Sequence, residues 1–255
     1  RRSGNAAAVS DGRRNDPVWQ MRADLAAALR WAVRYGLHEG VCNHFSLAIP
    51  GAEDQYLINP QGLHWAEITA SDLVVVNAEG RVIDGRHPVE PTAFFIHSRL
   101  HRAKPAARCI LHTHMPYATA LTLVEGGRLE PASQNALRYY GRVAYDEQYN
   151  GLALDEAEGD RMCARMRDAD VLFLANHGVI VSGPDVALAF DDLYYLERAC
   201  MVQVLAQSTG GTLRLVPEDV ASLTAKQIAQ ESQQARLHFA ALRRLLDRDE
   251  PEYAR

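Results

Sequence analysis

The sequence predicts an α/β fold: a mixed, largely antiparallel sheet with helices on both faces. Short β-like runs alternate with amphipathic helical runs along the chain. Many β-like runs are joined by short turns, which implies antiparallel pairing, because parallel neighbours need a crossover of a dozen residues or more. Of 255 residues, 47% are hydrophobic and 23% charged. That balance supplies a sizeable core and excludes a disordered chain, a collagen-like fibre and a small disulfide scaffold. A single domain over 17–255 is expected, preceded by a disordered tail over 1–16.

Each element follows from local pattern. Trp19, Leu25, Ala28, Leu29, Ala32 and Val33 recur at helical spacing, so a first helix is expected to Tyr35, closed by Gly36 and Gly40. Phe45–Ile49 and Tyr56–Ile58 flank Pro50, Gly51 and Asp54 and read as a hairpin. Asn59-Pro60-Gln61-Gly62 is a turn. Ser71-Asp72 can cap a helical turn, but the β-branched run to Val76 favours a buried strand, and Arg81–Ile83 adds another. Pro91 can open a helix at its first turn, and Pro105 stops it near Ala103. Strands are expected at 108–114, 142–145, 171–175 and 179–181. Helices are expected at 117–124, 155–167 and 185–207, with one final helix over 225–247.

The net charge of −5 argues against a general nucleic-acid binder. No apolar run approaches the ~18 residues of a membrane span, and the N-terminus has no apolar signal core. Cys42, Cys109, Cys163 and Cys200 are far apart, without a CxxC pair, and read as reduced thiols in a cytoplasm.

The strongest chemical signal is His112-Thr113-His114 at the end of an apolar strand. Residues i and i+2 of a strand face the same side. Their Cα atoms lie roughly 6.5–7 Å apart, so two imidazoles can converge on one ion. Two hydrogen-bonded histidines near a strand end is the alternative. Asn176-His177-Gly178 ends a second apolar strand, where His177 can project into a cleft or simply occupy a turn. Three imidazoles are the ligand set of open catalytic zinc sites, and imidazole also suits iron, manganese and cobalt. His44 titrates near neutrality and suits acid–base work or holding a carboxylate, or it is a loop histidine bonded to backbone. His97 and His101 lie four apart on one helix face and read as core or surface residues. Asp191-Asp192 read as a solvated helix face, and no nucleotide-binding or serine-hydrolase motif is present.

Over residues 17–210 the chain resembles the class II aldolase/adducin family. The resemblance rests on Asn43-His44-Phe45-Ser46, Ile58-Asn59-Pro60-Gln61-Gly62, Ile68–Val74, Ala103-Lys104-Pro105, His112-Thr113-His114, Asn176-His177-Gly178 and Leu196-Glu197-Arg198-Ala199. It implies a three-layer α/β/α sandwich and a homotetramer with the site near a subunit interface. It also implies one divalent ion on His112, His114 and His177, zinc first, with manganese, iron or cobalt as alternatives.

The departures from the family's sugar-phosphate aldolases are informative. Their Ser-Ser-Glu segment falls on Pro91, Thr92 and Ala93, so the acid/base glutamate becomes an alanine. The threonine of their Thr-Gly phosphate turn becomes Gln61 before Gly62. Glu90 lies close enough in sequence to substitute as acid/base. The expected site is therefore His44 and Glu90 for catalysis, with Asn43, Ser46, Gln61, Gly62 and Thr92 around the substrate. The expected function is a metal-dependent carbon–carbon lyase, by aldol cleavage or decarboxylation through an enolate of a small hydroxy- or oxo-carboxylate. A non-haem iron oxygenase on the same scaffold and a non-catalytic adducin-like interaction module are the alternatives.

Overall fold

A computed structural model describes residues 15–52 and 54–255. The expected N-terminal tail falls largely outside the described residues, and Asp16, at its end, already caps the first helix. Helix α1 (Pro17–Arg34) begins with proline at its first position, and the Asp16 carboxylate accepts from Val18 N–H. This satisfies an orphan donor of the first turn.

Among the described residues eight strands form one sheet: β1 (His44–Ala48), β2 (Tyr56–Ile58), β3 (Val74–Val76), β4 (Val82–Asp84), β5 (Cys109–Thr113), β6 (Val143–Asp146), β7 (Val171–Leu174) and β8 (Gly178–Gly183), in spatial order β4-β3-β2-β1-β5-β8-β7-β6. Among these eight, β6 and β7 pair in parallel and the other neighbours antiparallel. Helices α2 (Pro91–Ala103) and α5 (Glu156–Met166) cover one face. There Ile96, Leu100, Met162 and Met166 pack on Ile110, Leu172 and Ile180. The other face carries α1, α3 (Pro116–Thr122), α6 (Val186–Ser208) and α8 (Ser232–Asp249), and holds the larger core. The described residues also include α4 (Gln134–Leu137) and α7 (Glu218–Ala229), and end on a 3₁₀ turn (Pro251–Ala254). The three-layer sandwich is the expected architecture.

Two readings are corrected. The single final helix is two, α7 and α8, separated at Gln230–Glu231. No glycine or proline marks that break, so the composition offers no signal for it. Asp191 is not on a solvated face. It is buried, 3.1 Å from Arg138 and 2.8 Å from His238 Nδ1. Ser71-Asp72, weighed against a strand, belongs to a 3₁₀ turn (Ala70–Asp72) that leads directly into β3, so both readings of that stretch hold. Among the described residues no helix is long and apolar enough to cross a membrane, and all four cysteines are free thiols.

Candidate metal centre

Strand pairing brings the chemistry to one end of the sheet. His44 on β1 is the cross-strand partner of His112 on β5, and His112 is the partner of Ile180 on β8. The hairpin between β7 and β8 delivers His177. Asn176 there has φ 57°, a left-handed turn that asparagine tolerates. Gly178 is required at the next position. A Cβ on it would stand 2.5 Å from Thr113 O and 2.9 Å from the His114 ring. Its absence lets β8 close on the end of β5 and sets His177 beside His114.

The ligand nitrogens of His112, His114 and His177 lie within 4.8 Å of one another. Ring centroids are 4.7–5.1 Å apart in all three pairs. The hydrogen bonds orient two of the rings. His112 Nδ1 lies 3.0 Å from Val179 O, and His114 Nδ1 lies 2.5 Å from Glu39 Oε2. Carbonyl and carboxylate oxygens only accept, so both Nδ1 atoms carry hydrogen and the two Nε2 atoms are the ring positions left to meet a ligand. His114 Nε2 is enclosed and has no hydrogen-bond partner. A buried polar atom of that kind is costly unless something pairs with it. An Nδ1–H donated to a carboxylate or carbonyl is the usual support of a metal-bound imidazole. Burial first, then the neighbouring His114 and His44, hold the His177 imidazole down at about 4, so it is neutral at ordinary pH. Burial and the adjacent histidines push His112 in the same direction. Three converging imidazoles, two of them with oriented hydrogen-bond partners, fit a divalent cation.

Scaffold contacts fix the two strand ends. Asn43, at φ 74°, uses its side-chain oxygen to accept from His114 N–H at 3.1 Å, while Asn59 Nδ2 donates to Asn43 O. The buried Glu197 of α6 accepts from Tyr117 and Ala118 N–H at 2.8 and 2.9 Å. This caps α3 just after His114, where the residue preceding the helix offers no side-chain cap.

Beside the triad, Glu90 is the N-cap of α2. Its carboxylate accepts from Ala93 N–H at 3.1 Å and from the Thr92 hydroxyl, and lies 3.1 Å from His44 Nε2. Burial raises its pKa, but the hydrogen bonds from His44 and Thr92 outweigh burial and hold the carboxyl at about 2. The His44 ring centroid is 6.1 Å from that of His112.

Of the expected substrate contacts, Gln61 and Gly62 are exposed, on a loop tied by Gln61 N–H to Pro88 O near Glu90. Thr92 donates to Glu90, and Asn43 is buried as scaffold. Ser46 needs correction. It is fully buried, with its hydroxyl 2.5 Å from His97 Nδ1 and 2.7 Å from His101 Nε2. Strand alternation puts it on the His44 face but one rung deeper, under α2, so it does not line a cleft. Glu39 is a site-building residue that the sequence alone did not mark, and Glu197, part of a motif carrying the family resemblance, builds the site in a role the sequence did not indicate.

With this geometry in view, comparison identifies the class. Residues 23–204 match the family described as Class II Aldolase and Adducin N-terminal domain, and the chain belongs to it. It is 36% identical over 241 residues to a Pseudomonas aeruginosa protein provisionally named for aldolase class 2, covering 92% of each. It is also 34% identical to human beta-adducin over 89% of this chain, a stretch that makes up 33% of that longer protein. The crystal structure of an aldolase II superfamily protein from Pseudomonas syringae superposes with TM-score 0.88 at 35% identity, covering 97% of this chain and all of the other. L-fuculose 1-phosphate aldolase from Glaciozyma antarctica gives 0.82 at 28% identity over 92% of each.

Proposed function

We propose that this protein is a divalent-metal-dependent carbon–carbon lyase acting on a small hydroxy- or oxo-carboxylate. The observation that carries the reading is the converging imidazole triad with the His44–Glu90 pair beside it. His112, His114 and His177 hold the ion, zinc first. When bound, it supplies the positive charge against which a substrate oxygen can carry the electrons released by bond cleavage.

The chain's own groups do the rest. Glu90, held near 2, is too weak a base to take a proton near neutrality. Its role is to keep its charge and orient His44 through Nε2–H, as the third member of a triad orients its base. His44 then accepts or gives the proton. Ala93 stands where the sugar-phosphate aldolases carry glutamate, and Pro91 and Gln61 remove hydroxyls from the phosphate end. The exposed Gln61–Gly62 turn and Thr92 border the substrate. The same proposal includes a cytoplasmic homotetramer.

Two probes test it. The metal-loaded enzyme should exchange the methyl protons of pyruvate with deuterium from D₂O, followed by NMR. It should turn over L-fuculose 1-phosphate weakly or not at all. Efficient cleavage of the sugar phosphate without pyruvate exchange overturns the carboxylate reading. The similarity to beta-adducin favours a non-catalytic module as the second reading, and a purified protein that retains no divalent ion would support it.

A further inference from the structure

Glu39 meets His114 Nδ1, yet its side chain is 58% exposed, so burial does not fix the carboxylate in place. Its position depends on the backbone of the loop between α1 and β1. Gly36 and Gly40, at φ 68° and 55°, turn that loop on either side, and Cys42 N–H donates to Glu39 O at 2.9 Å. The residue before Glu39 is His38, and its contact is not one that packing alone explains.

His38 Nε2 lies 3.2 Å from His64 Nε2, with the rings edge-on and their centroids 5.0 Å apart. The roles of the two nitrogens follow from the outer contacts. Ala66 N–H donates to His64 Nδ1 at 3.1 Å, so that nitrogen carries no hydrogen and the ring proton is on Nε2. His64 Nε2–H then donates to His38 Nε2, which must be bare, and the His38 proton is on Nδ1. That Nδ1 is enclosed and has no partner. A buried donor left unpaired is costly, so an aliphatic side chain would stabilise the loop better. Burial first, then the facing His64, hold His38 below the usual histidine range, which keeps its Nε2 free to accept.

The two histidines belong to segments of different firmness. Trp65, next to His64, is fully buried, and its ring packs 4.7 Å from Phe45 of β1 and 6.3 Å from His38 by centroid. Glu39 and Gly40, next to His38, are exposed. The contact therefore fastens an exposed loop to a segment anchored in the core.

We infer that His64 and His38 are positioning residues of the metal centre, their hydrogen bond holding the Glu39 carboxylate against His114. The inference rests on the metal-dependent reading above. It needs a donor at 64 and an acceptor at 38, which distinguishes it from packing. It also makes one unit of the loop that supports a metal ligand and the segment that carries the Gln61–Gly62 turn at the substrate side.

The test uses the full-length protein with zinc and a competing chelator. His64→Leu, which fills the space without a donor, should weaken zinc affinity by about 10-fold, the low end for a lost outer partner, since the Glu39 side chain is still present. His64→Gln, whose amide can donate to His38, should keep most of the wild-type affinity. In a Glu39→Gln background His64→Leu should add no further loss, because a residue that acts through another has no effect once that other is gone. Histidine ¹⁵N shifts of the wild-type protein without metal should place hydrogen on His64 Nε2 and His38 Nδ1, a measurement that needs no variant to fold. Unchanged affinity in His64→Leu, equal losses for leucine and glutamine, a full further loss in the Glu39→Gln background, or hydrogen on His38 Nε2 overturns the inference and leaves the metal centre standing. A wild type that takes up no zinc overturns the metal centre itself, and this inference with it.

Discussion

Strand β1 faces two different environments within five residues. Phe45 and Leu47 point into the larger core, and Phe45 packs 4.7 Å from Trp65 by ring centroid. His44 and Ser46 point the other way, to Glu90, His97 and His101. The first face contributes stability through apolar area removed from water. The second holds enclosed, partly unpartnered polar atoms that a core selected only for stability would replace. Folding and chemistry are thus divided by strand alternation, and each side can be disturbed without the other.

Removing a triad member is the largest expected disturbance on the polar side. His177→Ala should abolish stoichiometric retention of a divalent ion, measured by elemental analysis, while circular dichroism keeps the wild-type fold. Full retention would remove His177 from the ligand set. On the apolar side, Phe45→Ala should cost about 3–5 kcal/mol in urea unfolding, and the protein still folded should bind metal normally. Lost metal binding in that folded fraction would break the division between the faces.

Glu39 sharpens it further. Glu39→Gln keeps the shape but removes the charge that His114 Nδ1–H meets. Metal affinity, read by competition with a chelator, should weaken about 10–100-fold, as for other outer partners of metal-bound histidine. Unchanged affinity would make Glu39 incidental.

The broadest disturbance is pH, acting on stability and not on a single contact. Burial holds His101 at about 3 and His97 well below its usual value, whereas both titrate near 6.5 when unfolded. A depressed group contributes fully above the unfolded value and loses that contribution as pH falls toward the folded one. Stability should therefore fall as pH drops from 6.5 toward about 3, by roughly one kcal/mol per pH unit from His101, with His97 contributing in the same direction. Urea melts at pH 7, 6 and 5 should show a shallower slope in His101→Gln. An equal slope would contradict the burial argument.

Much of this division was legible in the sequence, for physical reasons. Helix and strand periods located nearly every element, because α1, α2 and α6 and the apolar strands are strongly patterned and punctuated by Pro or Gly. The HxH and His-Gly pairs marked the triad because ligand type and strand period constrain each other. Glu39 stayed hidden, and the role of Glu197, though its motif was legible, did too. Each acts on a residue 75–80 positions away, and a carboxylate in a loop or helix carries no local mark of that. Ser46 was misread for a related reason: its motif marks the strand, but only the packing of α2 shows that its hydroxyl is enclosed. The α7–α8 break was missed because it lacks a breaker residue.

The central claim is that three imidazoles from β5 and the β7–β8 turn hold one divalent ion. X-ray absorption at the metal edge of the purified full-length protein tests it directly. The account predicts one ion per chain with an imidazole-dominated shell, at about 2.0–2.1 Å for zinc, lost in His112→Ala. A protein that retains no ion after incubation with zinc, or a sulfur- or oxygen-only shell that His112→Ala leaves unchanged, would contradict it.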